Sequence, residues 1–128
     1  MTARDETHST PLHLASSKEN DYVVELLISH GADVNAQDEH HSTPLHLASH
    51  KWSEDTAKLL IGHGADINAR DWRNSTPLHL AAHGWDNVVD VLLSHGANVG
   101  AKDDRGRTPF QIASSGGFSE IAKLLSDV

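Results

Sequence analysis

The chain contains no cysteine, which removes both a disulfide framework and a thiolate metal site. Positive charge is also scarce: 10 Lys and Arg stand against 18 Asp and Glu, a formal net charge of −8 with His neutral. A general binder of the nucleic-acid phosphate backbone needs clustered Lys and Arg, so that class is disfavoured. No stretch approaches the roughly 20 apolar residues of a membrane span, and Met1-Thr2-Ala3-Arg4-Asp5 has no signal-peptide apolar core. Missing too are a Ser–His–Asp order, a glycine-rich phosphate loop and a metalloprotease motif, so no enzymatic activity is expected. These absences point to an intracellular protein, cytoplasmic or nuclear, with no nucleic-acid or membrane partner and no cofactor.

What the chain does have is repetition. Ser-Thr-Pro-Leu-His-Leu-Ala occurs at 9–15, 42–48 and 75–81, and a degenerate copy, Arg-Thr-Pro-Phe-Gln-Ile-Ala, at 107–113. The motif threonines, Thr10, Thr43, Thr76 and Thr108, are spaced 33, 33 and 32 residues apart. A fixed period in this range marks a stacked-repeat solenoid. Hydrophobic content of 38% is low for a compact globule but suits an array in which each unit touches only its neighbours. The 128 residues are one domain, with repeats at about 5–37, 38–70, 71–102 and 103–128.

The second unit shows the local logic. Thr43 can cap a helix with its hydroxyl, and Pro44 fits the first helical position, where no backbone donor is needed. His46 falls on the first turn, within reach of Thr43, while Leu45, Leu47 and Ala48 supply an apolar face. Ser53 is the expected cap of a second helix carrying Ala57, Leu59 and Leu60 and ending at Gly64 in a left-handed conformation. Ala-Asp-Ile-Asn-Ala then reads as an extended link. Asn20, Asp86 and Ser119 are expected to cap as Ser53 does, and Gly31 and Gly96 to terminate as Gly64 does. Val23, Leu26 and Leu27 are aligned with Val89, Leu92 and Leu93 and with Ile121, Leu124 and Leu125. Helix pairs this short cannot bury their own apolar faces, so neighbouring units must complete one shared core.

The Thr-Pro-Leu-His-Leu-Ala blocks, with Gly-Ala-Asp-Val-Asn-Ala at 31–36 and its Ile67 variant at 64–69, make nearly the whole chain resemble ankyrin repeats. The resemblance implies an all-α repeat solenoid of stacked helix–turn–helix units with projecting β-hairpin-like loops. It also implies a non-catalytic role in binding protein partners through loop tips and the concave face of the first helices. Asn35 and Asn68 fall where asparaginyl hydroxylases modify ankyrin repeats, each with Leu eight residues upstream (Leu27, Leu60); unit three has Gly100 there.

The copies differ informatively. Family repeats usually carry Gly two residues before the motif Thr, whereas His8, His41, Asn74 and Gly106 stand there. Either these residues take a positive φ with mild strain, or the turn is of another type. Unit three lacks one residue in the turn between its helices, next to Trp85. Unit four replaces the motif His by Gln111 and ends its first helix in Ser114-Ser115-Gly116-Gly117, the polar drift of a terminal cap. At the other end, Ala3-Arg4-Asp5 matches Ala69-Arg70-Asp71, as though the chain were cut from a longer array.

By the resemblance, partner-binding candidates are the tip residues His40, Ser42, Trp72, Arg73, Ser75, Arg105 and Arg107 and the helix-end residues His50, Lys51 and His83. Trp and Arg are enriched among interface hot spots, and Trp72 stands at a loop tip, binding a partner or folding over His40 or Arg105. Trp52 and Trp85 sit at helix–helix turns, where packing and binding are both open. Among 11 histidines, His13, His46 and His79 belong to the motif and read as hydrogen-bonding groups, and His30, His63 and His95 suit helix C-termini, so no metal is expected. A monomeric protein-binding module is the leading reading. The alternatives are a spacer segment of a longer array and an engineered or reconstructed scaffold.

Overall fold

A computed structural model describes residues 9–50 and 53–126. Eight helices follow in order: α1 (Pro11–Ser17), α2 (Asp21–Ser29), α3 (Pro44–Ser49), α4 (Glu54–Gly62), α5 (Pro77–Ala81), α6 (Asp86–Ser94), α7 (Pro109–Ser115) and α8 (Ser119–Ser126). No strand occurs among the described residues, so the projecting loops are hydrogen-bonded turns rather than sheet hairpins. Consecutive helices pair, and each packs on its counterpart one unit along: α1 on α3, α3 on α5 and α5 on α7, with α2, α4, α6 and α8 likewise. Two helical layers result, stacked in one direction.

Each first helix starts in the same way. The motif Thr is extended (Thr43 has φ −94°, ψ 166°), and Pro follows at the first helical position. Thr43 Oγ1 accepts the His46 N–H (3.3 Å), while the Thr43 N–H donates to His46 Nδ1 (3.1 Å). Thr10–His13 and Thr76–His79 repeat this reciprocal cap, and Thr108–Gln111 reproduces it with a carboxamide oxygen, 2.9 Å from the Thr108 nitrogen. Since Nδ1 receives an N–H, the imidazole proton must sit on Nε2. That Nε2–H reaches the next unit: His13 to the Ser42 carbonyl (2.8 Å), His46 to Ser75 (2.9 Å) and His79 to Arg107 (2.9 Å). One side chain thus caps its own helix and fastens the following loop.

The core lies between the layers and runs unbroken along the stack. Leu12, Leu45 and Leu78 are at most 1% exposed, and Ala15, Ala48, Ala81 and Ala113 line the close approach of the helices. Gly31, Gly64 and Gly96 take φ of +92°, +94° and +84° after the second helices, as expected. The following N–H groups return to the last turn, Ala32 to Leu27 (3.0 Å) and Gly31 to Ile28 (3.0 Å), which satisfies its carbonyls. The expected extended link carries a tight turn instead: the Ala36 N–H donates to the Asp33 carbonyl (3.2 Å) and the Asn35 N–H to Asp33 Oδ1 (2.9 Å).

The second-helix caps depart from expectation. Asn20 accepts the Val23 N–H (3.3 Å), but Ser53 Oγ donates across units to Glu19 Oε1 (2.6 Å) and makes no cap bond. In units three and four the cap position falls one residue earlier, at Trp85 and Phe118, leaving Asp86 and Ser119 inside their helices. In unit three the apolar register moves with it. Val24, Ala57 and Val89 are counterparts, as are Leu27, Leu60, Leu92 and Leu125, and all seven are buried. Val88 and Leu92 therefore correspond to Val23 and Leu27, and the alignment of Val23 and Leu27 with Val89 and Leu93 is corrected by one residue. The shift in unit three is that of its missing residue: Trp85 follows Thr76 by nine residues, whereas Asn20, Ser53 and Phe118 follow their motif Thr by ten. The residue before the cap is left-handed alike at Glu19 (φ +56°), Gly84 (φ +132°) and Gly117 (φ +78°).

Candidate partner-binding groove

The loops ahead of the first helices are built on one recurring aspartate. Asp38 Oδ1 accepts the N–H groups of His40 (2.8 Å) and Ser42 (3.0 Å), Asp71 those of Arg73 and Ser75 (both 2.9 Å), and Asp103 those of Arg105 (3.0 Å) and Arg107 (2.9 Å). Across each loop, the Asp N–H donates to the carbonyl of Ser42, Ser75 or Arg107 (3.0 Å in each case). Completing the turn demands a left-handed residue, and His41 (φ +58°), Asn74 (+61°) and Gly106 (+74°) supply it. The positive-φ reading therefore holds at these positions, while His8 lies outside the described residues. Adjacent loops are tied as well, the Trp72 N–H to the His40 carbonyl and the Asp104 N–H to Arg73, both at 2.9 Å. Few backbone groups remain free to rearrange, so the tip side chains stand on a fixed frame.

Beside the loops runs a groove of about 480 Å³ over units two to four. Its loop wall carries His40, Ser42, Trp72, Arg73, Ser75, Arg105 and Arg107, and its far wall His50 and His83. Nine of the residues singled out from the sequence therefore share one concavity. Three do not: Trp85 is half-buried against the core at the start of α6, while Lys51 and Trp52 lie outside the described residues. Ser42 and Ser75 are pinned through their backbones, and Ser75 is only 8% exposed, so little of it faces a partner.

Trp72 is 60% exposed yet not loose. Its ring leans on His40 with centroids 5.4 Å apart at 39°, and the Arg73 guanidinium carbon stands 5.3 Å from the indole centroid. The contact with His40 matches one of the expected resting places; Arg73, rather than Arg105, supplies the cation. A propped, exposed indole is an apolar anchor with little conformational freedom left to lose.

The floor went unrecognised in the sequence. Leu47, Leu80 and Ile112 line the groove, although Leu47 reads as part of the inward face with Leu45 and Ala48. At about 100° per residue, Leu45 and Leu47 stand some 200° apart and cannot share a face. That spacing was the available signal. The organising role of Asp38, Asp71 and Asp103 was likewise signalled only by their period.

Electrostatics in the groove follow from burial. Desolvation lowers the pKa of His46 and His79 against the pull of their carbonyl partners, which keeps both neutral. His83 is lowered too, by burial first and then by Arg107, His50 and His79. Burial alone would raise Asp103, but the N–H groups of Arg107 and Arg105 and the Arg107 guanidinium outweigh it and hold the carboxyl low. Arg107 closes on Asp103 Oδ2 from both Nε and Nη2 at 3.0 Å. Among the described residues, no three His, Asp or Glu stand together to hold a metal ion, and no helix is long and apolar enough to cross a membrane.

Regular helix pairs fastened by a repeated His bond, with one walled groove along the stack, define a helical repeat scaffold. Comparison with known families agrees: ankyrin repeats (3 copies) match residues 1–71 and ankyrin repeats (many copies) match 79–125. The chain belongs to the ankyrin-repeat family. Such repeats generally serve as protein–protein interaction modules and are typically non-catalytic.

Proposed function

We propose that the chain binds a protein partner through the groove of units two to four, without chemistry of its own. The exposed, propped indole of Trp72, on the same loop as Arg73 and beside the loop that carries Arg105 and Arg107, supports this reading. Ordered loops lose little entropy on association, so a few anchors can supply most of the affinity. A pull-down comparing the parent with a Trp72→Ala/Arg73→Ala/Arg105→Ala variant of matched thermal stability tests it. Partners retained by the parent and lost by the variant are expected; an identical set from both would overturn the reading.

A second reading, a segment that spaces other units in a longer array, is favoured by one observation. Leu14 and Leu26 of the first unit are 56% and 44% exposed, although their counterparts in units two and three are half-buried or buried. A further unit stacked there would cover them. In that case the triple variant would retain every partner of the parent.

A further inference from the structure

Charge is distributed unevenly over the molecule. Three arginines balance three aspartates in the groove lining, so the entire formal charge of −8 lies outside it. A second concavity, at the turns that start α2 and α4, gathers Glu19, Asp21, Glu54 and Asp55 with no Lys or Arg among its lining residues. Within the groove the two signs are not equally available. Asp71 is engaged by two backbone N–H groups, and Asp103, 5% exposed, by two more and by Arg107. Arg73 and Arg105 are exposed, and neither forms an ion pair among the described residues. Asp104 is the one lining carboxylate whose oxygens accept no hydrogen bond among the described residues. Around these charges stand the exposed face of Trp72 and the half-buried Leu47 and Leu80.

Resting on the binding role proposed above, we propose that the groove takes an extended acidic peptide segment in which carboxylates alternate with large apolar side chains. The carboxylates reach Arg73 and Arg105, and an apolar side chain lies on Trp72 and the leucine floor. Elsewhere the surface repels such a segment, so charge steers it to this face as well as holding it there. Guanidinium–carboxylate pairing is directional and can be bidentate, which a neutral segment cannot reproduce.

Fluorescence anisotropy with a labelled peptide of alternating glutamate and leucine tests this, against the same peptide with glutamine or lysine in place of glutamate. The glutamate peptide is expected to bind about tenfold more tightly than the glutamine peptide, the preference shrinking as salt rises, while the lysine peptide is drawn to the acidic surface outside the groove and its binding does not depend on Trp72. Arg73→Gln/Arg105→Gln should abolish the preference for glutamate over glutamine, whereas Trp72→Ala should weaken both peptides alike. Circular dichroism and the unfolding midpoint establish that both variants remain folded. Equal binding of the glutamate and glutamine peptides, both dependent on Trp72, would overturn the acidic preference and leave the groove standing as a binding surface. Binding of the glutamate peptide unchanged in both variants would contradict the groove itself. Failure of both the glutamate and the glutamine peptide to bind would overturn the acidic-segment inference and leave the pull-down to decide the groove.

Discussion

Replacing His46 separates the two tasks assigned to the motif histidine. The side chain is fully buried. Its Nδ1 accepts the Thr43 N–H at 3.1 Å and its Nε2–H donates to the Ser75 carbonyl at 2.9 Å. The Ser75 carbonyl also accepts the Asp71 N–H at 3.0 Å and would keep one partner, but the Thr43 N–H has no other acceptor among the described residues. His46→Gln retains the cap, as Gln111 does for Thr108 at 2.9 Å, and gives up the bond between units, costing about 1 kcal/mol. His46→Ala loses both bonds, strands the Thr43 N–H and leaves a cavity, costing about 3–4 kcal/mol. Urea unfolding at pH 8, well above the lowered range of His46, measures both, with an unchanged m-value required for the comparison. Equal costs for the two variants, or a cost below about 0.5 kcal/mol for alanine, would refute the double-duty account.

Other consequences are open to similar tests. Because burial lowers the pKa of His46 and His79 below that of the unfolded chain, the unfolded state takes up more protons as the solution is acidified. The associated stability is complete above about pH 6.5 and is lost as pH falls from there through the folded-state values. The urea midpoint should therefore drop between pH 8 and 5, less so in a His46→Gln/His79→Gln variant; a flat parental profile would contradict the neutral-imidazole lock. The Ser49 hydroxyl is buried without a hydrogen-bond partner among the described residues, and Ala82 occupies the same place one unit later, also buried. Ser49→Ala should stabilise by about 1 kcal/mol, and a lowered urea midpoint would refute this. His41→Gly should add about 0.5–1 kcal/mol by relieving φ of +58°, read from the same midpoint. Asn74→Gly should gain less, because the Asn74 amide donates to the Lys102 carbonyl at 3.3 Å; a larger gain there would contradict the account.

Legibility in the sequence followed how local each determinant is. Thr-Pro-x-His encodes a cap within four residues, and Gly31, Gly64 and Gly96 a left-handed stop, so both were readable. The second-helix starts in units three and four were not, because Trp85 and Phe118 are poor cap residues followed directly by good ones, Asp86 and Ser119. Phe118 illustrates the non-local part: a Cβ on Gly116 would stand 2.6 Å from its ring and one on Gly84 3.4 Å, so glycine in two units makes room for one aromatic. At the groove, the positions that the ankyrin resemblance singled out include nine that share one concavity, but which Trp faces outward depended on three-dimensional packing. Trp72 leans on a neighbouring loop and stays exposed, whereas Trp85 turns toward the core.

The central claim is that the groove of units two to four meets the partner. Placing a photo-crosslinking side chain at His83, on the groove wall, or at Asp90, on the exposed side of α6, tests it most directly. Illumination in extract from the protein's natural cell should trap a partner from position 83 and not from position 90. Crosslinks formed equally from both positions, or from position 90 alone, would contradict the account.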